Sequence, residues 1–161
     1  MSRLARYSIC LLLFFSFQLL TSPAIACIEG LSWGMDRASV EQHLGVTLMP
    51  TLDEANKDIF EIRDFQMSTV PVQRLLVRIE DQKGLRQLAY EMDYNNMTEV
   101  LAGLRNRFGP PVAASIDVDG ISSQQQWTWH TGEDVITAIK SDKSPFLLSY
   151  RPSRLDLFFL G

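Results

Sequence analysis

Residues 75–94 read LLVRIEDQKGLRQLAYEMDY, and this stretch decides the fold. Apolar side chains alternate with polar ones on both sides of the segment Asp81-Gln82-Lys83-Gly84. Alternation with a period of two predicts β-strands, and a polar segment ending in glycine between two such runs predicts a hairpin turn. One face of this hairpin is apolar, which is typical of an antiparallel sheet covered on one side. The apolar positions are Leu75, Val77 and Ile79 before the turn and Leu88, Tyr90, Met92 and Tyr94 after it.

A further strand and a helix are predicted on the N-terminal side of the hairpin. Phe60 and Ile62 alternate with charged residues, which indicates a strand. Asp36 has the side chain of a good N-cap, and Gly45 lies where a helix of two to three turns would end. Residues 46–57 are predicted to form a loop.

The same order of elements is predicted again on the C-terminal side. Asn96 and Glu99 have the spacing of a capping pair, and Gly109 ends the helix that follows. The apolar stripe of this helix consists of Val100, Leu101, Leu104 and Phe108. Strands are predicted over 112–118, 121–130, 135–141, 146–150 and 155–160, with a hairpin turn at Asp119-Gly120. Further turns are predicted over 131–133, 142–145 and 151–154.

Two helices that end in Leu44-Gly45 and Phe108-Gly109, each followed by strands, suggest an internal duplication. One helix with a few strands buries its own apolar face poorly, whereas two such units side by side can share a core. We therefore predict a single α+β domain over residues 33–161. It would consist of loosely duplicated units, about 33–95 and 96–161, whose helices cover one face of the sheet. The alternative is two unrelated helices that each end in glycine.

The N-terminus has the three parts of a secretory signal peptide. Arg3 and Arg6 precede an apolar run over 9–20, and Ala24-Ile25-Ala26 offers a cleavage site. The apolar run is shorter than the roughly 20 residues that cross a bilayer. We predict export to the periplasm with removal of residues 1–26, and a short tether over 27–32.

Cys27 would be the first residue of the mature chain and its single cysteine, because Cys10 leaves with the signal. The segment Ala24-Ile25-Ala26-Cys27 resembles the lipobox of bacterial lipoproteins, although that family prefers Leu where Ala24 stands. The resemblance implies a lipid on Cys27 and a tether to the inner or outer membrane. The alternative is an ordinary cut that leaves a terminal cysteine.

The charge balance argues against polyanionic partners. The mature chain would carry 13 basic and 19 acidic residues, a net charge of −6. No run of Lys or Arg provides the positive patch that nucleic acids or anionic membrane surfaces require.

The chain contains no recognisable catalytic or cofactor motif, so we predict a protein that is not an enzyme and holds no cofactor. The two histidines, His43 and His130, have no partner in a metal-binding spacing. Residues 115–120 have the oxygen spacing of a calcium loop, but Gln126 stands at the twelfth position and cannot supply the bidentate carboxylate. We therefore predict no metal site.

Aromatic residues are the remaining candidates for a binding site. Trp127 and Trp129 alternate with Thr128 and so share one face of a strand that ends at His130. We predict that both tryptophans fill the core under the helices. The alternative is an exposed binding surface formed by Trp127, Trp129 and His130. On the opposite face, mixed charges predict cross-strand ion pairs among Arg63, Arg78, Glu80, Glu91 and Asp93.

The order of elements over 33–160 resembles two groups of small exported bacterial proteins. These are the outer-membrane-assembly lipoproteins of the SmpA/OmlA type and the beta-lactamase inhibitory proteins. The resemblance rests on Trp33-Gly34-Met35, Val40, Leu44-Gly45 and Arg107-Phe108-Gly109-Pro110. These residues pack and end helices in many families, so the resemblance concerns the fold.

Three functions follow as expectations. The first is an exported, non-catalytic binding or envelope-assembly accessory, whose partner is another envelope or secreted protein. The second is a periplasmic immunity or inhibitor protein that caps a toxin or enzyme. The third is an enzyme of unrecognised class, for which the sequence offers no motif.

Overall fold

A computed structural model describes residues 30–52, 56–118, 123–142 and 144–153. These residues form two α-helices, one 3₁₀ turn (Tyr94–Asn96) and an eight-stranded antiparallel sheet, which confirms the α+β class. In chain order the elements are α1 (Arg37–Leu44), β1 (Met49–Pro50), β2 (Ile59–Met67), β3 (Val70–Glu80), β4 (Gly84–Met92), α2 (Met97–Phe108), β5 (Ala113–Val118), β6 (Ser123–His130), β7 (Asp134–Ser141) and β8 (Ser144–Pro152).

The strand order is β1-β2-β3-β4-β8-β7-β6-β5. Each helix is followed by a meander of four strands, and the last strands of the two meanders, β4 and β8, pair at the centre of the sheet. In this central pair Leu88 lies opposite Tyr150, and Met92 lies opposite Phe146. The two halves therefore share one continuous sheet.

Helix α1 begins and ends where the sequence predicts. The carboxylate of Asp36 accepts a hydrogen bond from the backbone N–H of Ser39 at 2.8 Å. Gly45 adopts the left-handed conformation, with φ of 67°, which glycine tolerates best. The predicted turn at 81–84 is also present, with positive φ at Gln82 and Gly84.

The predicted start of α2 is correct in position, since the helix begins at Met97 directly after Asn96, but the predicted side-chain cap does not form. Asn96 has helical backbone angles and makes no side-chain cap, because the 3₁₀ turn leads directly into α2. The side chain of Asp93 caps that turn instead, by accepting from the N–H of Asn95 at 2.8 Å. The chain has left the sheet at Met92, so Tyr94 does not share a strand face with Tyr90 as predicted.

Several other predictions shift or lie outside the described residues. The predicted loop over 46–57 contains the short strand β1, which pairs with β2. Strand β8 extends through Pro152, so Arg151 belongs to a strand and not to a turn. The signal peptide, Cys27, the turn residues Asp119-Gly120 and the predicted strand 155–160 all lie outside the described residues.

Both helices pack on the same face of the sheet. The guanidinium of Arg37 in α1 stacks over the ring of Phe60 at 4.6 Å, and Phe60 lies opposite the buried Val77. In the other half of the sheet, the indole N–H of Trp129 in β6 donates to the carbonyl of Gly109, just after α2, at 3.0 Å. The core lies between this face and the helices, and its largest fully buried side chains include Trp129, Tyr90, Phe146, Leu75, Leu88, Met92 and Leu148.

Candidate functional site

The exposed aromatic surface, which was the alternative to burial of both tryptophans in the core, does not form. Trp129 is 1% exposed and belongs to the core, as predicted. Trp127 is half-buried and packs against that core. His130 is exposed, and alternation along β6 directs its side chain to the opposite face of the sheet. Of the three residues, His130 is therefore the one available to a ligand on that face.

We call the face of the sheet opposite the two helices the open face, because no helix of the described residues packs on it. Its main feature is a cavity of about 610 Å³. Four residues that can carry positive charge line this cationic cavity: Arg78, Arg86, His130 and Arg151. The other lining residues are Glu80, Gln87, Thr128, Val135, Pro152 and Ser153.

The register of five strands aligns most of this lining in one row. Arg78 of β3 lies opposite Gln87 of β4. On the other side of the central pair, Val135 of β7 lies opposite both Arg151 and His130. Adjacent strands are about 4.8 Å apart, so Arg78, Arg151 and His130 follow one another at intervals of about 10 Å across the sheet.

A β-bulge adds a further cation to this row. The pairing of β3 with β4 shifts between Arg78 and Ile79. Leu85 and Leu88 are both fully buried on the helix side, although three positions separate them. The two residues between them, Arg86 and Gln87, therefore both line the cavity, since a bulge re-aims side chains in this way.

The one acidic residue of the cavity, Glu80, pairs with a lysine, and three of the four cations, Arg78, His130 and Arg151, form no ion pair with the described residues. Glu80 forms an ion pair with Lys83 of the adjoining turn at 3.4 Å. The Nε atom of Arg78 is buried and makes no hydrogen bond to the described residues. Gln87 is held in place by donating to the Ser149 hydroxyl at 2.9 Å. The cavity is thus a cationic site in a chain whose net charge is −4.

An apolar cleft of about 230 Å³ adjoins the cationic cavity on the open face. Its apolar lining residues are Ile59, Leu76, Ala89 and Leu147. Arg78 and Gln87 line both the cleft and the cavity, so the two spaces meet at these side chains.

The end of the cleft distant from the cavity carries a neutralised charge network. Arg74 donates two hydrogen bonds of 2.9 Å to the carboxylate of Glu91 and lies 3.7 Å from Glu61. The hydrogen bond to Glu91 raises the pKa of Arg74 above its usual range. Arg63 also pairs with Glu61. Cross-strand ion pairing on this face was predicted, but Arg74, which the prediction omitted, is its centre, and Arg78 lies apart from it.

The remaining predicted residues contribute no site in the described part of the chain. His43 is exposed in the last turn of α1. Asp117 lies in β5 opposite Gln124, so this part of the calcium-loop pattern is a strand. Among the described residues, no group of three His, Cys, Asp or Glu side chains is placed to hold a metal ion. No helix in the described ranges combines the length and the apolar character needed to span a bilayer.

A second cavity, of about 310 Å³, lies on the helix side between α2 and the turn that joins β2 to β3. Its lining is mixed, with Val100, Leu104 and Phe108 beside Glu99 and Arg107. Its walls come from α2, from the β2–β3 hairpin and from Leu148 and Tyr150 of β8, and it lacks the four cationic residues found on the open face.

Comparison with known proteins identifies a similar solved structure and no family. No known protein family matches the chain, and no curated protein matches it. Among solved structures, the chain is similar to a DUF4309 family protein, YjgB, from Bacillus subtilis, at 12% sequence identity and a TM-score of 0.49. The similarity covers 77% of this chain and 83% of that protein.

Proposed function

We propose that this protein is an exported, non-catalytic binding protein of the bacterial envelope that holds its ligand on the open face. The observation that carries this proposal is the cationic cavity, in which three guanidinium groups and an imidazole converge although the chain is acidic overall. Local positive charge of this kind raises the concentration of anionic ligands at the site. The volume of the cavity lies within the range of small-molecule sites, roughly 300–1,000 Å³.

The chemistry of the lining supports binding in preference to catalysis. Guanidinium groups remain protonated throughout the physiological pH range, so they bind anions and do not transfer protons. The inhibitor alternative would need an exposed aromatic or carboxylate plug, and the burial of Trp129 removes one aromatic residue that could serve.

The arrangement of the two halves supports the proposed duplication. Each half consists of a helix and a four-stranded meander, and the two halves meet at β4 and β8. The cationic cavity takes Arg78 and Arg86 from the first half and His130 and Arg151 from the second. A duplicated unit would thereby create a binding face that neither half has alone.

Export and attachment form a separate part of the proposal. We infer that residues 1–26 are removed and that Cys27 carries a lipid, on the sequence grounds given above. Intact-mass analysis of the protein from envelope fractions tests both steps. A mass that still includes residues 1–26 contradicts export, and a Cys27→Ser variant that remains membrane-bound contradicts lipid attachment.

Occupancy of the open face can be tested without knowing the ligand. Envelope extracts and the purified protein are treated with an arginine-specific reagent such as phenylglyoxal, and modified peptides are quantified by mass spectrometry. We expect Arg151, which is exposed in the cavity wall, to react several-fold less in the extract than in the purified protein.

The matched control for this experiment is Arg105, an exposed residue of α2 on the far side of the molecule. Its modification should be equal in the two samples. Equal modification of Arg151 in both samples would contradict the proposed function.

A further inference from the structure

The two spaces on the open face differ in chemistry but form one continuous surface. The cationic cavity and the apolar cleft share Arg78 and Gln87. On one side of these residues the lining is cationic, and on the other side it consists mainly of Ile59, Leu76, Ala89 and Leu147. A ligand that fills both spaces must therefore have a charged part and an apolar part.

Arg78, at the junction of the two spaces, is the cation best placed to bind the anionic part of a ligand. The Nε atom of Arg78 is buried there without a hydrogen-bond partner among the described residues. Arg78 also forms no ion pair with the described residues, so its guanidinium group, which lines both spaces, can bind an anionic acceptor. The anionic part of a ligand would thus be placed between Arg78 and Arg151, with His130 and Arg86 nearby.

The opposite end of the apolar cleft has no unpaired cation that would attract an anionic group among the described residues. The carboxylate of Glu91 stands there, paired with Arg74, which is in turn shared with Glu61. An anion placed at this end would lie near the carboxylate of Glu91, and Arg74 already pairs with that group and with Glu61. The surface therefore orients a ligand, with its anionic end in the cavity and its apolar end toward Leu147.

We propose that the open face binds a single-chain anionic amphiphile, with its carboxylate or phosphate in the cationic cavity and its alkyl chain along the apolar cleft. This assignment rests on the proposed function and names its ligand class. Guanidinium forks match both carboxylate and phosphate oxygens, so a fatty-acid anion and an alkyl phosphate share the required chemistry.

The test is isothermal titration of the purified mature protein, residues 27–161, with matched probes below their micelle concentrations. Decanoate and decyl phosphate present the proposed ligand with its two alternative head groups. Decyltrimethylammonium has the same chain with the opposite charge, while acetate and inorganic phosphate present the head groups alone. An acetylated tripeptide ending in leucine presents a carboxylate on a peptide.

We expect decanoate or decyl phosphate to bind at least about tenfold more tightly than any other probe. Which of the two binds more tightly shows whether the ligand is a fatty-acid anion or an alkyl phosphate. Tightest binding of the peptide, of the cation or of a head group alone would overturn the assignment.

Variants identify the site of binding. Arg151→Gln removes a cation from the cavity wall, and Leu147→Ser removes apolar surface from the cleft. Each should weaken decanoate binding by about tenfold or more, while Arg105→Gln, on the helix face, should leave it unchanged. Circular dichroism verifies that each variant is folded. Arg78→Lys keeps the charge but loses the planar fork, and it should bind more weakly than the unmodified protein.

The outcomes separate this inference from the function on which it rests. Protection of Arg151 in envelope extracts without binding of either amphiphile leaves the binding function standing and overturns the ligand class. Binding of decanoate with the expected variant pattern, but without protection of Arg151, supports the ligand class and contradicts the proposed function in the envelope.

Discussion

Arg78 is the side chain on which both spaces of the open face depend. It lies on the edge shared by the cationic cavity and the apolar cleft, and its buried Nε is left without a described partner. Alternation places it there, because its neighbours Val77 and Ile79 turn toward the core. Arg78 thus stands where the cationic and the apolar parts of the open face meet.

Trp129 is a structural residue, and its replacement tests this directly. We expect Trp129→Ala to lower the free energy of unfolding by roughly 3–5 kcal/mol, because a large buried ring and its bond to the Gly109 carbonyl are lost. Trp127→Ala, at a half-buried position, should cost about 1–2 kcal/mol. Urea unfolding at neutral pH measures both values, and equal small losses would contradict the assignment of Trp129 to the core.

Two glycines with the same backbone angle give a second residue-scale prediction. Gly45 and Gly84 both have φ of 67°, but an added Cβ meets nothing within 4 Å at Gly45. At Gly84 the same atom would lie 2.1 Å from the carbonyl oxygen of Gly34. Gly45→Ala should therefore cost only backbone strain, about 1 kcal/mol.

Gly84→Ala should be much more destabilising. The segment at Gly34 and Met35 exchanges hydrogen bonds of 3.0 and 2.8 Å with Leu85, and it would have to move away. Strain together with two lost hydrogen bonds amounts to at least about 3 kcal/mol. Chemical unfolding of the two variants provides the comparison, and a cost at Gly84 no larger than at Gly45 would show that the close approach is absent.

At the scale of single elements, α1 is held in place by polar contacts at both of its ends. Asp36 caps its first turn. Glu41 accepts a hydrogen bond from Arg37 and another, of 2.9 Å, from the backbone N–H of Leu48. Arg37 also donates to the Leu48 carbonyl at 2.6 Å. The Arg37–Glu41 ion pair therefore binds the backbone of Leu48 and holds the segment that follows α1 against the helix.

These contacts make the stability of α1 depend on pH. Hydrogen bonds from the backbone N–H groups of Ser39 and Leu48 lower the pKa of Asp36 and of Glu41 below their usual values of 3.8 and 4.5. A carboxyl whose pKa is lower in the folded state stabilises the fold above its unfolded pKa. This contribution is lost as the pH falls through the folded-state pKa.

We therefore expect the urea midpoint to decrease as the pH falls from about 5 to about 3. The double variant Asp36→Asn, Glu41→Gln should show a smaller decrease over this window. The comparison needs only unfolding curves at several pH values. Parallel decreases in both proteins would mean that other carboxyl groups carry the acid sensitivity.

At the scale of the whole molecule, the contacts that join the two halves include a central strand pair and a buried long-range hydrogen bond. The central pair β4 and β8 buries apolar side chains from both halves, and the rings of Tyr90 and Tyr150 meet edge to face at 6.0 Å. Separately, the indole N–H of Trp33 donates to the carboxylate of Asp134 at 2.7 Å across 101 residues of sequence. Asp134 is 2% exposed and also accepts from the Thr131 hydroxyl.

Loss of the Trp33–Asp134 bond should weaken the entire domain. We expect Trp33→Phe to lower the free energy of unfolding by about 1.5–3 kcal/mol, because a buried carboxylate loses a donor. Asp134→Asn keeps an acceptor oxygen for the indole and should cost less. Fluorescence and circular dichroism should report a single shared transition in both variants. Separate transitions would show that the halves unfold independently.

Local sequence patterns predicted most of the elements correctly. Alternation over residues 75–92 marked β3 and β4, and Asp36 and Gly45 marked the ends of α1. These features depend on contacts within a few residues, so their signals are present in the linear sequence. The start of α2 was also predicted, but the side-chain cap at Asn96 does not form, because Asn96 belongs to the 3₁₀ turn and has helical backbone angles.

The candidate site could not be predicted in the same way. Arg78 and His130 were noted as polar residues of separate strands, Arg151 was assigned to a turn, and Arg86 was not singled out. The antiparallel sheet and the polarity of its two faces follow from the sequence by itself, because side-chain alternation is a local property. Only the tertiary structure brings the four cations together, because the pairing of β4 with β8 and the bulge after Arg78 depend on contacts between distant residues.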